Sequence, residues 1–117
     1  MKVFVYFNLH KKVFSIKALE GINKGRVIAH RRDVRLFNAM FKVSEAGRQR
    51  VLRERKKNVH AGVVGYWTDA PINDTLVLDG NEATYNPYKY SSFIVKETGE
   101  AISSIAEVQL IEKRIFI

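Results

Sequence analysis

The alternation of apolar side chains along the first 43 residues constrains the fold more than any other feature of the sequence. Val3 and Val5 fall on one side of an extended chain and Phe4 on the other, and this period of two is typical of a β-strand. Turn residues divide the stretch into short pieces. Strands are predicted at residues 2–8, 12–19, 26–30 and 34–43. Four successive short strands favour an antiparallel meander.

One helix is predicted, over residues 45–57. Ser44 suits the N-cap position, Glu45 carries a charge that suits the positive end of the helix dipole, and basic residues crowd the other end. Gly47 weakens the first turn, because glycine costs about 1 kcal/mol relative to alanine within a helix. Further short strands are expected at residues 59–67, 75–78, 92–96, 107–111 and 114–117.

The chain is long enough for one hydrophobic core, so residues 1–117 are expected to form a single domain. The predicted fold class is α+β, an antiparallel sheet with one principal basic helix. The sequence has no cysteine, which excludes disulfides and thiolate chemistry. His10, His30 and His60 lack the close spacing of a zinc motif, so neither a metal nor another cofactor is expected.

The net charge of +8 and the pI of about 9.9 indicate an anionic partner, because such a field attracts phosphate-bearing molecules. No apolar run is long enough to span a bilayer, and the N-terminus lacks the features of a signal peptide. We therefore expect a cytoplasmic protein without a membrane partner. A homo-oligomer is compatible with the sequence, which does not fix the oligomeric state.

On a helical wheel the basic residues of the predicted helix form two stripes. Arg48 and Arg55 fall on the core-facing side, while Arg50, Arg53 and Lys57 lie opposite. The outer stripe is explained either by solvation or by contact with nucleic acid. A second basic patch, which includes Arg31 and Arg32, lies in the predicted meander, and it would form a groove if the helix lay beside it.

The inner arginines need a partner, because a guanidinium beside the core must be paired or face a polar cavity. One interpretation pairs them with carboxylates, and the candidates are Asp69, Asp74 and Glu82. The other is a pocket for a small nucleotide, since the planar guanidinium binds phosphate oxygens in pairs. The residues predicted to line that pocket are Arg48, Arg55, Asn58, His60, Tyr85, Tyr88 and Lys89.

Catalysis is the alternative interpretation of the same residues. A metal-independent ribonuclease needs a general base, a general acid and cations for the transition state. His60, Tyr85 and Arg55 would supply these groups. A lone histidine is more often structural than catalytic, so no catalytic residue is predicted.

Two motifs resemble a family of small, functionally uncharacterised proteins encoded by bacteriophages. The first runs from Phe41 to Ala61, with the letters FKVSEAGR, RVLRE and KNVHA, and the second is YNPYK at Tyr85 to Lys89. The resemblance covers most of the chain and implies an accessory protein that acts in an infected bacterium. Counter-defence, such as sequestering a cyclic nucleotide signal, is one task that this implies.

Together these observations predict a phage accessory protein that binds a phosphate-rich ligand, either nucleic acid or a small nucleotide, without turning it over. Two alternatives remain. One is the ribonuclease based on His60, and the other is an inhibitor that binds an acidic host or defence protein.

Overall fold

A computed structural model describes residues 1–72, 77 and 80–117 of the chain. The described residues form one nine-stranded sheet with a helix between its fourth and fifth strands. The strands are β1 (Lys2–Asn8), β2 (Val13–Ala18), β3 (Val27–Arg31), β4 (Asp33–Val43), β5 (Ala61–Thr68), β6 (Glu82–Thr84), β7 (Ile94–Val95), β8 (Ser104–Ile111) and β9 (Arg114–Phe116). The helix, α1, spans Glu45–Glu54. All strand pairings are antiparallel, which confirms the predicted α+β class.

The strand order is β3-β2-β1-β5-β4-β8-β9-β6-β7. The first three strands form a meander, but the prediction that β4 continues it is wrong, because β4 lies between β5 and β8. The length of the connection explains the difference. Only Arg32 separates β3 from β4, whereas a tight hairpin between neighbouring strands needs a loop of two residues. The chain therefore bends at Arg32 without reversing beside β3.

This short connection also shows that the sheet curls. β3 and β4 stand first and fifth in the strand order, which is about 19 Å across a flat sheet. The extended chain from Arg31 to Asp33 reaches at most about 7 Å. The sheet must therefore curve back toward itself, as in a barrel. The guanidinium of Arg31 accordingly lies 5.5 Å from the ring centre of Trp67 in β5.

The concave face of the sheet holds the core, which the alternating residues of the strands supply. Its members include Val3, Val5, Phe14, Ile16, Val34, Leu36, Phe41, Val63, Val108 and Leu110. A β-bulge interrupts β4 between Phe37 and Met40, where Asn38 adopts a left-handed conformation with φ of 49°. The extra residue keeps Ala39 in the core and leaves Phe37 and Met40 on the opposite face.

Helix α1 begins as predicted and ends earlier. The Ser44 side chain accepts a hydrogen bond from the backbone N–H of Gly47 and so caps the N-terminus. The last helical residue is Glu54, not Lys57, because Arg55 adopts a left-handed conformation with φ of 56° and its N–H bonds the Val51 carbonyl. This C-cap satisfies a carbonyl that the helix would otherwise leave free. Residues 55–60 then return to the sheet outside the helix.

The positions of the later strands agree with the prediction better than their lengths do. β8 and β9 lie near the predicted strands, β7 is shorter, and β6 lies in a stretch that had no predicted strand. The strand predicted at residues 75–78 falls outside the described residues, apart from residue 77. Among the described residues, no helix has the length and apolar character needed to cross a bilayer.

Candidate functional site

Helix α1 packs closely against the segment that leads into β5. A Cβ atom on Gly47 would lie 2.5 Å from the Cβ of His60, so only glycine allows this approach. The Asn58 amide also donates to the Gly47 carbonyl at 3.4 Å. The glycine that weakens the first helical turn is therefore the position at which the two segments touch.

The His60 imidazole is held between Asn58 and Tyr85. Its Nδ1 lies 3.1 Å from the side-chain oxygen of Asn58 and 3.2 Å from the Asn58 carbonyl. Both partners are acceptors, so Nδ1 carries the proton and donates. Nε2 lies 2.7 Å from the hydroxyl oxygen of Tyr85, and the two atoms form a hydrogen bond. Both motifs that resemble the phage family thus meet at one hydrogen bond.

Tyr85 links His60 to the core through a series of aromatic rings. Its ring centre lies 5.5 Å from that of His60 and 5.1 Å from that of Phe93. Phe93 in turn lies 5.0 Å from Phe41 in β4. Burial raises the pKa of the Tyr85 hydroxyl, while the nearby charge of Arg48 opposes the shift. Tyr85 therefore stays neutral at physiological pH.

Arg48 lies on the inner side of the helix, as the wheel predicted, and two of its three guanidinium nitrogens form hydrogen bonds. Its Nε donates to the carbonyl oxygens of Pro87 and Tyr90, at 3.1 and 3.0 Å, and Nη1 bonds Glu45 at 3.1 Å. This arginine fastens the second motif to the helix. Of the three carboxylates considered as its partners, Glu82 pairs instead with Arg114 and Lys96, and Asp74 lies outside the described residues.

Three residues of the predicted small-nucleotide pocket are not gathered around Arg48. Arg55 was expected on the core-facing side of the helix, but it is the exposed C-cap. Tyr88 and Lys89 are also exposed, on the turn that follows Asn86. The structure thus links Asn58, His60 and Tyr85 by hydrogen bonds, with the charge of Arg48 near Tyr85, and it leaves Arg55, Tyr88 and Lys89 on the surface.

The outer stripe of the helix is exposed and only partly neutralised. Arg50 pairs with Glu54 at 3.0 Å, one turn along the helix. An exposed pair of this kind contributes little to stability. The next four basic residues are exposed and form no salt bridge within the part of the chain that the structure describes. We call them the cationic tail: Arg53, Arg55, Lys56 and Lys57.

The predicted basic patch of the meander is divided between two shallow depressions. Arg31 lies at one, of about 250 Å³, where it stacks on Trp67. Arg32 lies at the other, of about 260 Å³, together with Lys12 and Lys113. These two lysines could not be predicted from the sequence, because they lie in turns about 100 residues apart in the chain. The curled sheet brings the two turns together.

Comparison with known proteins identifies the relatives of this chain. The family model described as the Mycobacterium phage L5 gene 82 protein matches residues 1–117. The gene 82 protein of Mycobacterium phage L5 is 42% identical over 104 residues, which cover 84% of this chain and 80% of that protein. No solved structure matches the chain.

Proposed function

Because the chain belongs to the family of the Mycobacterium phage L5 gene 82 protein, we propose that it is a phage accessory protein that binds nucleic acid without cleaving it. The binding would take place in the cytoplasm of the infected host, where counter-defence is one task that such binding serves. The cationic tail would contact the phosphates.

The observation that carries this proposal is the availability of the tail. Arg53, Arg55, Lys56 and Lys57 are close together in the chain and exposed, and no described carboxylate forms a salt bridge with them. Uncompensated cations of this kind bind phosphates with release of counterions, and this term supplies most of non-specific affinity for nucleic acid. The net charge of +8 adds long-range attraction for the same ligand.

A pocket for a small nucleotide has less support. Its central residue, Arg48, donates to two carbonyl oxygens and to Glu45. A nucleotide bound through Nε or Nη1 would have to displace those bonds and would release the Tyr85 to Tyr90 turn. The ribonuclease alternative also has less support, since Nε2 of His60 already forms a hydrogen bond with the Tyr85 hydroxyl, whereas a general base must reach a substrate proton.

The proposal is tested by reversing charges in the tail. We expect Arg53→Glu with Lys57→Glu to weaken binding of labelled single-stranded and duplex oligonucleotides at least tenfold at low salt, as measured by fluorescence anisotropy. The matched control is Lys24→Glu with Arg26→Glu, which changes the net charge equally at exposed positions outside the tail. We expect the affinity of the control for the oligonucleotides to fall only a few-fold.

Equal losses in both double variants would mean that overall charge, not the tail, determines binding. The absence of oligonucleotide binding by the unaltered protein would refute the proposal as a whole. Recovery of an acidic host protein in its place, from infected cells with tagged protein, would support the inhibitor alternative.

A further inference from the structure

The convex face of the sheet carries a continuous group of large apolar side chains. In the pairing of β1, β5 and β4, Phe4 lies beside Val64, and Val64 lies beside Met40. One row along, Tyr66 lies beside Phe37. We call this group the outer aromatic face, and its members are Phe4, Tyr6, Phe37, Met40, Val64 and Tyr66.

Three members of this face are open to solvent to an unusual degree for large apolar residues. The exposed fraction is 46% for Tyr66, 44% for Met40 and 36% for Phe37. Single exposed apolar residues need no explanation, but a contiguous group on a sheet marks an interaction surface. The bulge in β4 places both Phe37 and Met40 there.

A glycine lets one of these rings lie against the sheet. A Cβ on Gly62 would lie 2.6 Å from the ring of Phe4, so the ring occupies the space above the glycine. The neighbouring ring of Tyr6 lies 6.0 Å away, centre to centre, and is tilted by 31°. The two rings therefore offer adjacent faces, and they do not stack on each other.

Lysines surround the outer aromatic face. Lys2 pairs with Tyr66 across the strands, Lys17 pairs with Phe4, and Lys42 pairs with Gly62. None of the three forms a salt bridge within the described ranges. Among the described residues, the one carboxylate that pairs with a residue of this face is Glu107, opposite Phe37, and Arg35 neutralises it.

We infer that the outer aromatic face is a stacking platform for the bases of single-stranded nucleic acid. Exposed rings set among lysines are the chemistry by which proteins hold single strands, with stacked bases and neutralised phosphates. A duplex buries its base faces in its own stack and cannot use such rings. The inference rests on the proposed function, because it specifies which form of nucleic acid is held and where the bases lie.

The platform and the cationic tail are close enough for one strand to contact both. Four residues separate Lys57 from Gly62, so the two Cα atoms lie at most about 18 Å apart. Phe4 lies directly on Gly62. The tail would hold phosphates while the platform holds the bases that follow.

The experiment compares two oligonucleotides with equal numbers of phosphates, a thymidine 12-mer and a 12-mer of abasic sites. We expect the unaltered protein to bind the thymidine strand at least roughly 5- to 160-fold more tightly, the range that one stacked base supplies. Tyr66→Ala should remove most of that preference. Ile22→Ala, which removes another exposed apolar side chain, should leave it intact.

The outcomes separate this inference from the proposed function. Equal affinity of the unaltered protein for both strands would overturn the platform and leave the tail in place. Binding of neither strand would refute both. If Tyr88→Ala removed the preference for the thymidine strand and Tyr66→Ala did not, the bases would stack on the second motif, and the inference would be overturned. A change of oligomeric state in Tyr66→Ala, with the preference unchanged, would make this face a protein interface and overturn the inference.

Discussion

The Nε2 atom of His60 lies 2.7 Å from the hydroxyl oxygen of Tyr85, and this hydrogen bond joins two motifs that are 25 residues apart in the chain. It fixes the loop before β5 to the stretch that follows β6. With Arg48, which bonds the carbonyls of Pro87 and Tyr90, it gives the two motifs a structural role. Residues that resemble a catalytic set thus hold the helix against the sheet.

Loss of this bond should affect stability and spare binding. We expect Tyr85→Phe to lower the free energy of unfolding by about 1 kcal/mol, which corresponds to a melting temperature lower by roughly 3–6 °C in a domain of this size. Affinity for oligonucleotides should stay within twofold. Thermal unfolding and anisotropy measure the two quantities. A variant with unchanged stability and lost binding would assign Tyr85 to the ligand.

Gly47 offers a test in which two physical effects have opposite signs. Helix propensity alone predicts that Gly47→Ala stabilises the protein by about 1 kcal/mol. The 2.5 Å approach to His60 predicts the opposite, with a cost of about 1–3 kcal/mol for overpacking. We expect the variant to be less stable in urea unfolding. Gln49→Ala, at an exposed position on the same helix, is the control and should be close to neutral.

The sequence predicts the parts of this fold that depend on local patterns. Alternation located most of the strands, and Ser44 and Glu45 located the start of the helix. The helix end was not predictable from residues 53–58, because no glycine marks the C-cap and Arg55 takes the left-handed conformation instead. The place of β4 depends on strands that come later in the chain.

In the candidate site, too, local relations were predictable from the sequence and long-range contacts were not. The wheel separated Arg48 from the outer stripe correctly, since that relation is local to the helix. Its partners, the carbonyls of Pro87 and Tyr90, lie about 40 residues away and leave no periodic signal. The outer aromatic face depends on the bulge at Asn38, because a regular strand would place Phe37 and Met40 on opposite faces.

Acid should destabilise the protein through Glu82. The hydrogen bonds from Arg114 hold the pKa of this buried carboxyl below its ordinary value of 4.5. A lowered folded-state pKa gives stability that is present above the unfolded value and is lost as the pH falls through the folded value. We expect stability to decrease as the pH falls below about 4.5, the ordinary value.

The variant Glu82→Gln tests this assignment by chemical denaturation between pH 3 and 7. It should be less stable than the unaltered protein at neutral pH, and its stability should change less with acid. Glu97→Gln, at an exposed carboxylate without a salt bridge in the described chain, should keep the full acid dependence. If the stability of Glu82→Gln fell with pH as steeply as that of the unaltered protein, the group responsible for the acid dependence would be another residue.

The most direct test of the central claim, that the protein binds nucleic acid through its cationic tail, is the salt dependence of its affinity for a single-stranded oligonucleotide. If four tail cations each contact a phosphate, log K should fall linearly with log salt with a slope of about −3. Arg53→Glu with Lys57→Glu should make that slope shallower by at least about 1.4. A slope that this double variant leaves unchanged, or no binding at low salt, would contradict the claim.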